Sequence, residues 1–189
     1  MNIKLSFKKS GFSDMAQLIV FATLISFVAA FRLVDHAPNF APVAAMGLVA
    51  GYMFRSRLYG IVAVVLAMVV SDVVIGFDSL EMRFVVYGSL LLPVLMGFFL
   101  KSKSGVSLGS GVFGASLLGS ALFFVFTNLA VWAFSGMYEH TASGLMLCYA
   151  YALPFFQNTI AGDLLFSGAF FTSVYLWRQI STSPELARG

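Results

Sequence analysis

Leu58–Gly76 reads LYGIVAVVLAMVVSDVVIG, an apolar run whose single charged side chain is Asp72. About 20 mainly apolar residues are what an α-helix needs to cross the hydrocarbon of a bilayer. A carboxylate near the middle of such a helix costs about 2.5–3.5 kcal/mol or more, so it implies a partner or a task. Working outward, similar runs are found at about 15–33, 41–54, 84–100, 106–134 and 153–177. The run at 41–54 is short and rich in small residues, and the last run carries a second acid, Asp163.

Composition points the same way. Of 189 residues, 60% are hydrophobic and 10% are charged, where a soluble domain carries roughly a quarter charged residues. There is too little polar surface to cover such a chain, so the expected fold is all-α. It is an integral membrane six-helix bundle forming one domain over 1–189. The first run is long enough to remain as a span rather than a cleaved leader. The formal charge of +3 is too small to suggest nucleic acid as a partner. One cysteine excludes an internal disulfide and a multi-cysteine metal cage. Only His36 and His140 are present, with no HxxxH pattern, so neither a metal nor another cofactor is expected. No Walker A string occurs, so the chain cannot power ATP-driven transport alone.

The connectors give a direction. Lys4, Lys8, Lys9, Arg55, Arg57, Lys101, Lys103, Arg178 and Arg188 fall on one side of six crossings, nine of the eleven basic residues. Arg32 and Arg83 fall on the other side with Asp35, Asp78, Glu81 and Glu139. The positive-inside rule then puts both termini in the cytoplasm. Gly47/Gly51, Ala41/Ala45, Gly105/Gly109 and Ala115/Gly119 have the small-xxx-small spacing that lets helices approach closely in lipid.

At a rise of about 1.5 Å per residue, Asp72 lies about 6 Å below the outer end of its span, and Asn128 about 9 Å. Counted from Pro154 near the start of the sixth span, Asn158 lies about 6 Å down and Asp163 about 13 Å. His36 and Asn39 belong to the connector on that same side. Starts of the second, fourth and sixth helices, with Pro42 and Pro154 suited to first turns, converge there too. Acids, amides and helix starts at one depth are the ingredients of a small-molecule site. Its expected members are His36, Asn39, Asp72, Asn128, Trp132, Asn158 and Asp163. The two acids would accept from a cationic or amide-bearing ligand, and Trp132 would stack on it. The plain alternatives are interhelical bracing by the acids and amides, and an interface belt formed by the aromatics.

The strings HAPNFAPVAAMG (36–47), SDVVIGF (71–77), FTNLAVW (126–132) and CYAYALPFFQNTIAGDL (148–164) resemble a family of small bacterial membrane proteins. That family is related, more remotely, to the substrate-binding (S) components of energy-coupling factor transporters. The resemblance implies a six-helix protein of the bacterial inner membrane. It would capture a vitamin-like molecule from outside and pass it inward with an energy-coupling transmembrane subunit and ATPases. Solitary cobalamin transporters of the same superfamily can offer a cysteine thiolate to cobalt. Here the sole thiol is Cys148, in the connector entering span six. The expectation is a transport-related binding protein with lipid bilayer and small molecule as partners, not an enzyme. Its rivals are a membrane enzyme using His140, Cys148 and Asp163, and a ligand-free assembly protein using its glycine faces.

Overall fold

The computed structural model describes residues 14–182, with side chains described for 17–179. Lys4, Lys8, Lys9 and Arg188, used above for direction, lie outside the described residues. Six α-helices follow in order: α1 (Asp14–Leu33), α2 (Val43–Met53), α3 (Arg57–Ile75), α4 (Leu80–Phe99), α5 (Gly105–Phe134) and α6 (Ala142–Thr182). A 3-10 turn, Leu100–Ser102, extends α4. α3, α4 with its turn, α5 and α6 are each long and apolar enough to cross a membrane. The described part of α1 (Gln17–Leu33) and α2 are shorter apolar helices.

Several boundaries differ from the sequence reading, among them the start of α4 at Leu80 and not at Phe84. α6 begins at Ala142, so Pro154 sits inside the helix and not in its first turn. Cys148 is therefore a buried helical residue, not part of a connector. The error came from treating Pro154 as a start; a proline can instead sit mid-helix at the loss of one backbone hydrogen bond. α2 is shorter than the 41–54 run, with Pro42 just before its first turn.

α3 shows how an apolar sequence still chooses a face. Gly60, Ala63, Val64, Ala67, Met68, Ser71 and Asp72 are buried, at the three- and four-residue spacing of one helix stripe. Leu66, Val69, Val70 and Val73 are exposed on the other side. Small and polar residues face inward and bulky aliphatics outward, the arrangement of a helix in lipid, not in water.

α2 is the hub, packed against α4, α3, α6 and α5. A Cβ placed on Gly51 would come 2.0 Å from the Val94 carbonyl oxygen, and one on Gly97 2.0 Å from the Leu48 carbonyl oxygen. Glycines on both helices therefore put backbone against backbone. The Gly47/Gly51 pair faces this seam, with Gly47 near Val94, Leu90 and Val64. The Gly105/Gly109 pair meets nothing within 4 Å and packs no helix.

Each end of the bundle is fastened separately. At one end, the Lys101 ammonium donates to the Phe54 carbonyl. The Arg178 guanidinium donates to the Tyr52 hydroxyl at 2.8 Å, joining α6 to α2. At the other end, Arg32 of α1 pairs with Asp72 of α3 at 2.7 Å, and Asn158 of α6 donates to the Pro38 carbonyl at 3.0 Å. Phe40, in the α1–α2 connector, lies against Gly162 and Phe166 of α6. That connector thus dips into the bundle before α2 starts.

Gly97→Ala should abolish this packing, because the added methyl meets backbone that cannot rotate away. A loss of at least about 3 kcal/mol is expected, against a gain of up to about 1 kcal/mol from helix propensity alone. Gly109→Ala, with open space around it, should be neutral or slightly stabilising. Thermal unfolding of the two purified variants checks the contrast.

Candidate functional site

Between the Arg32–Asp72 end and the middle of the bundle lies a cavity of about 500 Å³ with walls from all six helices and two connectors. Its polar lining comprises Arg32, His36, Asn39, Asp78, Thr127, Asn128, Thr159 and Asp163. Apolar sides come from residues such as Met68, Val86, Leu90, Phe123 and Phe155. The volume falls within the range that holds a drug-sized molecule.

Asp163 sits at the inner limit of the cavity and is only 4% exposed. Its carboxylate accepts from the Ser120 hydroxyl at 2.6 Å. Ser120 is at the midpoint of the 30-residue α5, which puts Asp163 about 20 Å from the near end of that helix. This is deeper than the 13 Å counted from Pro154, and the longer head of α6, which begins at Ala142, explains the difference. Beyond Asp163 the bundle closes tightly, with Ser116 donating to Ser167 at 3.0 Å and Pro93 against Gly119.

The first turn of α2 reaches the same place, since Val43 and Ala44 line the cavity. No side chain caps that helix start, and its first N–H groups have no partner within the helix. Asn39, also in the wall, holds a left-handed backbone (φ 63°), a conformation that asparagine tolerates better than most residues. It turns the chain into α2.

What the polar wall presents follows from where its hydrogens already go. Thr127 donates to the Phe123 carbonyl at 2.7 Å, and Thr159 to the Phe155 carbonyl at 3.0 Å. The Asn128 amide N–H donates to the Phe124 carbonyl at 2.8 Å. His36 Nδ1 donates to the Val34 carbonyl at 2.6 Å, so in the neutral ring Nε2 is left as an acceptor. The hydroxyl oxygens, the amide oxygen, Nε2 and the carboxylate all remain as acceptors. Acceptors predominate in the wall, beside the second Asn128 N–H and the Asn39 amide as donors.

Arg32 adds a cation to the wall, engaged by protein through its Nη1. Its guanidinium pairs with Asp72 at 2.7 Å, donates to the Met68 carbonyl at 3.3 Å and contacts the Ser71 hydroxyl. Tyr87 donates to the other Asp72 oxygen at 2.5 Å. Both Asp72 oxygens are thus occupied by protein, and Asp72 is not in the cavity wall. Asp163 has no cation beside it among the described residues.

Of the seven residues expected at the site, His36, Asn39, Asn128 and Asp163 come together around the cavity. The other three do not. Asp72 is the counter-ion of Arg32. Trp132 donates to the Glu139 carbonyl at 2.9 Å and meets the His140 ring of the α5–α6 connector at a tilt. Asn158 ties α6 to the α1–α2 connector. Thr127, Thr159 and Ser120 were missed, because hydroxyls in an apolar helix carry no signal until their neighbours are known. Arg32 could have been found: an arginine closing an apolar run one helix away from Asp72 is a natural ion-pair partner.

Among the described residues, no group of three or more His, Cys, Asp or Glu could hold a metal ion. The Cys148 thiol donates to the Asn128 backbone carbonyl at 3.4 Å. No curated protein and no solved structure matches the chain. Residues 12–186 match a family described as "Family of unknown function (DUF6580)", and the chain belongs to that family.

Proposed function

We propose that this protein is a membrane-embedded binding component for transport that captures a small cationic molecule rich in hydrogen-bond donors. The observation that carries this reading is the acceptor-rich cavity with Asp163 at its inner limit. A carboxylate at that depth in hydrocarbon is costly without a counter-charge, and a ligand ammonium or amidinium would supply one. The hydroxyl oxygens of Thr127 and Thr159, the Asn128 amide oxygen and His36 Nε2 would accept from its remaining N–H groups. An acceptor on the ligand would meet the uncapped start of α2.

Six crossings, with both termini in the cytoplasm, form the membrane arrangement of this proposal. α2 alone, with 11 residues, covers about 16 Å of a hydrocarbon layer near 30 Å. The inserted α1–α2 connector completes that crossing, irregular backbone at such depth being tolerated where protein covers it or a cavity hydrates it. Arg55, Arg57, Lys101, Lys103 and Arg178 share the end away from the cavity mouth, which favours that end as cytoplasmic. The cavity then faces outward, in the inner membrane of a bacterium. A vitamin-sized substrate and an energy-coupling partner with its own ATPases fit the resemblance, and this chain has no nucleotide motif of its own.

Native mass spectrometry of the purified protein tests the ligand directly, through the mass and charge of any molecule it retains. Asp163→Asn should lower that retention about tenfold to hundredfold, the weight of a charge-assisted hydrogen bond, while leaving the protein monodisperse. Loss of monodisperse protein in parallel with ligand would assign Asp163 to bracing and sink the proposal.

Asp72 should behave in the opposite way. Arg32→Gln or Asp72→Asn alone leaves a charge unpaired and should cost about 3–5 kcal/mol, whereas removing both should cost clearly less. Thermal unfolding of the two singles and the double variant measures this. Ligand retention by the folded double variant should stay close to that of the parent protein.

A further inference from the structure

The basic end of the bundle holds a charge arrangement that membrane topology alone does not require. The Arg57 guanidinium lies 4.0 Å from the centroid of the Phe98 ring, and the Lys101 ammonium lies 4.4 Å from the same centroid. Two cations from different helices are thus gathered on one ring, near enough that each opposes the other's charge. No described carboxylate is within ion-pair reach of Arg55, Arg57, Lys101 or Lys103. Asp35, Asp72, Asp78, Glu81 and Glu139 all belong to the opposite end, and Asp163 to the middle.

Beside the cations the surface is apolar and open. Leu58 is 63% exposed and Phe99 68% exposed, and the Arg57 guanidinium lies 5.8 Å from the Phe99 ring as well. A partner that neutralises this pair must be anionic where it meets Arg57 and Lys101 and oily where it meets Leu58 and Phe99. We propose that this end is a binding site for an anionic phospholipid, with its phosphate between Arg57 and Lys101 and its acyl chains along Leu58 and Phe99. The ring contacts hold the two cations in place before the lipid arrives, while the exposed guanidinium keeps its donors for phosphate. This site is distinct from the cavity and does not depend on what the cavity binds.

The test uses the full-length purified protein, equilibrated with phosphatidylglycerol and phosphatidylcholine in equal amounts, with retained lipids counted by native mass spectrometry. Phosphatidylglycerol should be preferred. Arg57→Gln should lower the ratio of the two lipids about fivefold, and Arg57→Gln with Lys101→Gln roughly thirtyfold, at about fivefold per charge. Arg57→Lys should keep the ratio to within about twofold, and Arg83→Gln, at the other end, should leave it unchanged. Because Lys101 also holds the Phe54 carbonyl, the exposed Arg57 variant decides if the double variant is not monodisperse. An equal ratio in the parent protein and Arg57→Gln overturns the proposal. So does displacement of the lipid by excess inorganic phosphate, which would mark a site for free anions.

Discussion

The close approach of α2 and α4 is the constraint on which the rest of this molecule depends. Gly51 against Val94 and Gly97 against Leu48 leave no room for a side chain on either helix. Hydrophobic burial cannot drive helices together in lipid, so contact must come from packing at short range. With backbone on backbone, α2 is locked at one height and rotation. Its first turn, with Val43 and Ala44, is thereby held beside Asp163 and not at the bundle's rim. A helix of 11 residues could not be held so deep by its ends alone.

From that position follows the division of labour between the two acids. Asp72 lies near a bundle end, where Arg32 and Tyr87 reach it, and it is satisfied within the protein. Asp163, on α6, lies level with the midpoint of α5 through its bond to Ser120, too far from either end for a long cationic side chain to reach while keeping its head near water. Ser120 supplies one hydrogen bond, and a neutral donor offsets only part of the cost of a buried charge. The two carboxylates looked alike in sequence. They differ because depth decides which partners are available.

Much of the helix pattern was legible because apolar run length is a local property. α1, α3 and α5 begin and end within about a residue of the runs that predicted them. α6 was misplaced by eleven residues because proline is ambiguous, equally at home in a first turn and at a tolerated kink. The site was legible only in part, since Asp163, Asn128, His36 and Asn39 declare themselves as polar residues in apolar surroundings. Which of the polar residues share a wall depends on helix rotation. That is set by contacts such as Gly51–Val94, which no single segment encodes. The hydroxyls of Thr127 and Thr159 were invisible for a further reason: a threonine that satisfies its own helix backbone disturbs no hydropathy pattern.

A membrane bundle can line a cavity with polar groups at small cost in hydrocarbon. A hydroxyl that donates to the carbonyl four residues back hides its hydrogen and keeps its lone pairs, so it enters lipid-facing sequence at small cost. Thr127 and Thr159 do this on α5 and α6, whereas Asn128 gives one amide N–H to its helix and keeps the other. Each threonine becomes a one-sided group, able to accept and not to compete for acceptors. Two such groups near one carboxylate bias the wall toward acceptors. A molecule bearing several N–H groups would find acceptors on several sides of the wall, whereas the donors there are the start of α2, the Asn39 and Asn128 amides and the guanidinium of Arg32. Selectivity of this kind resides in the direction of hydrogen bonds already made, and it persists as long as the helices that make them stay regular.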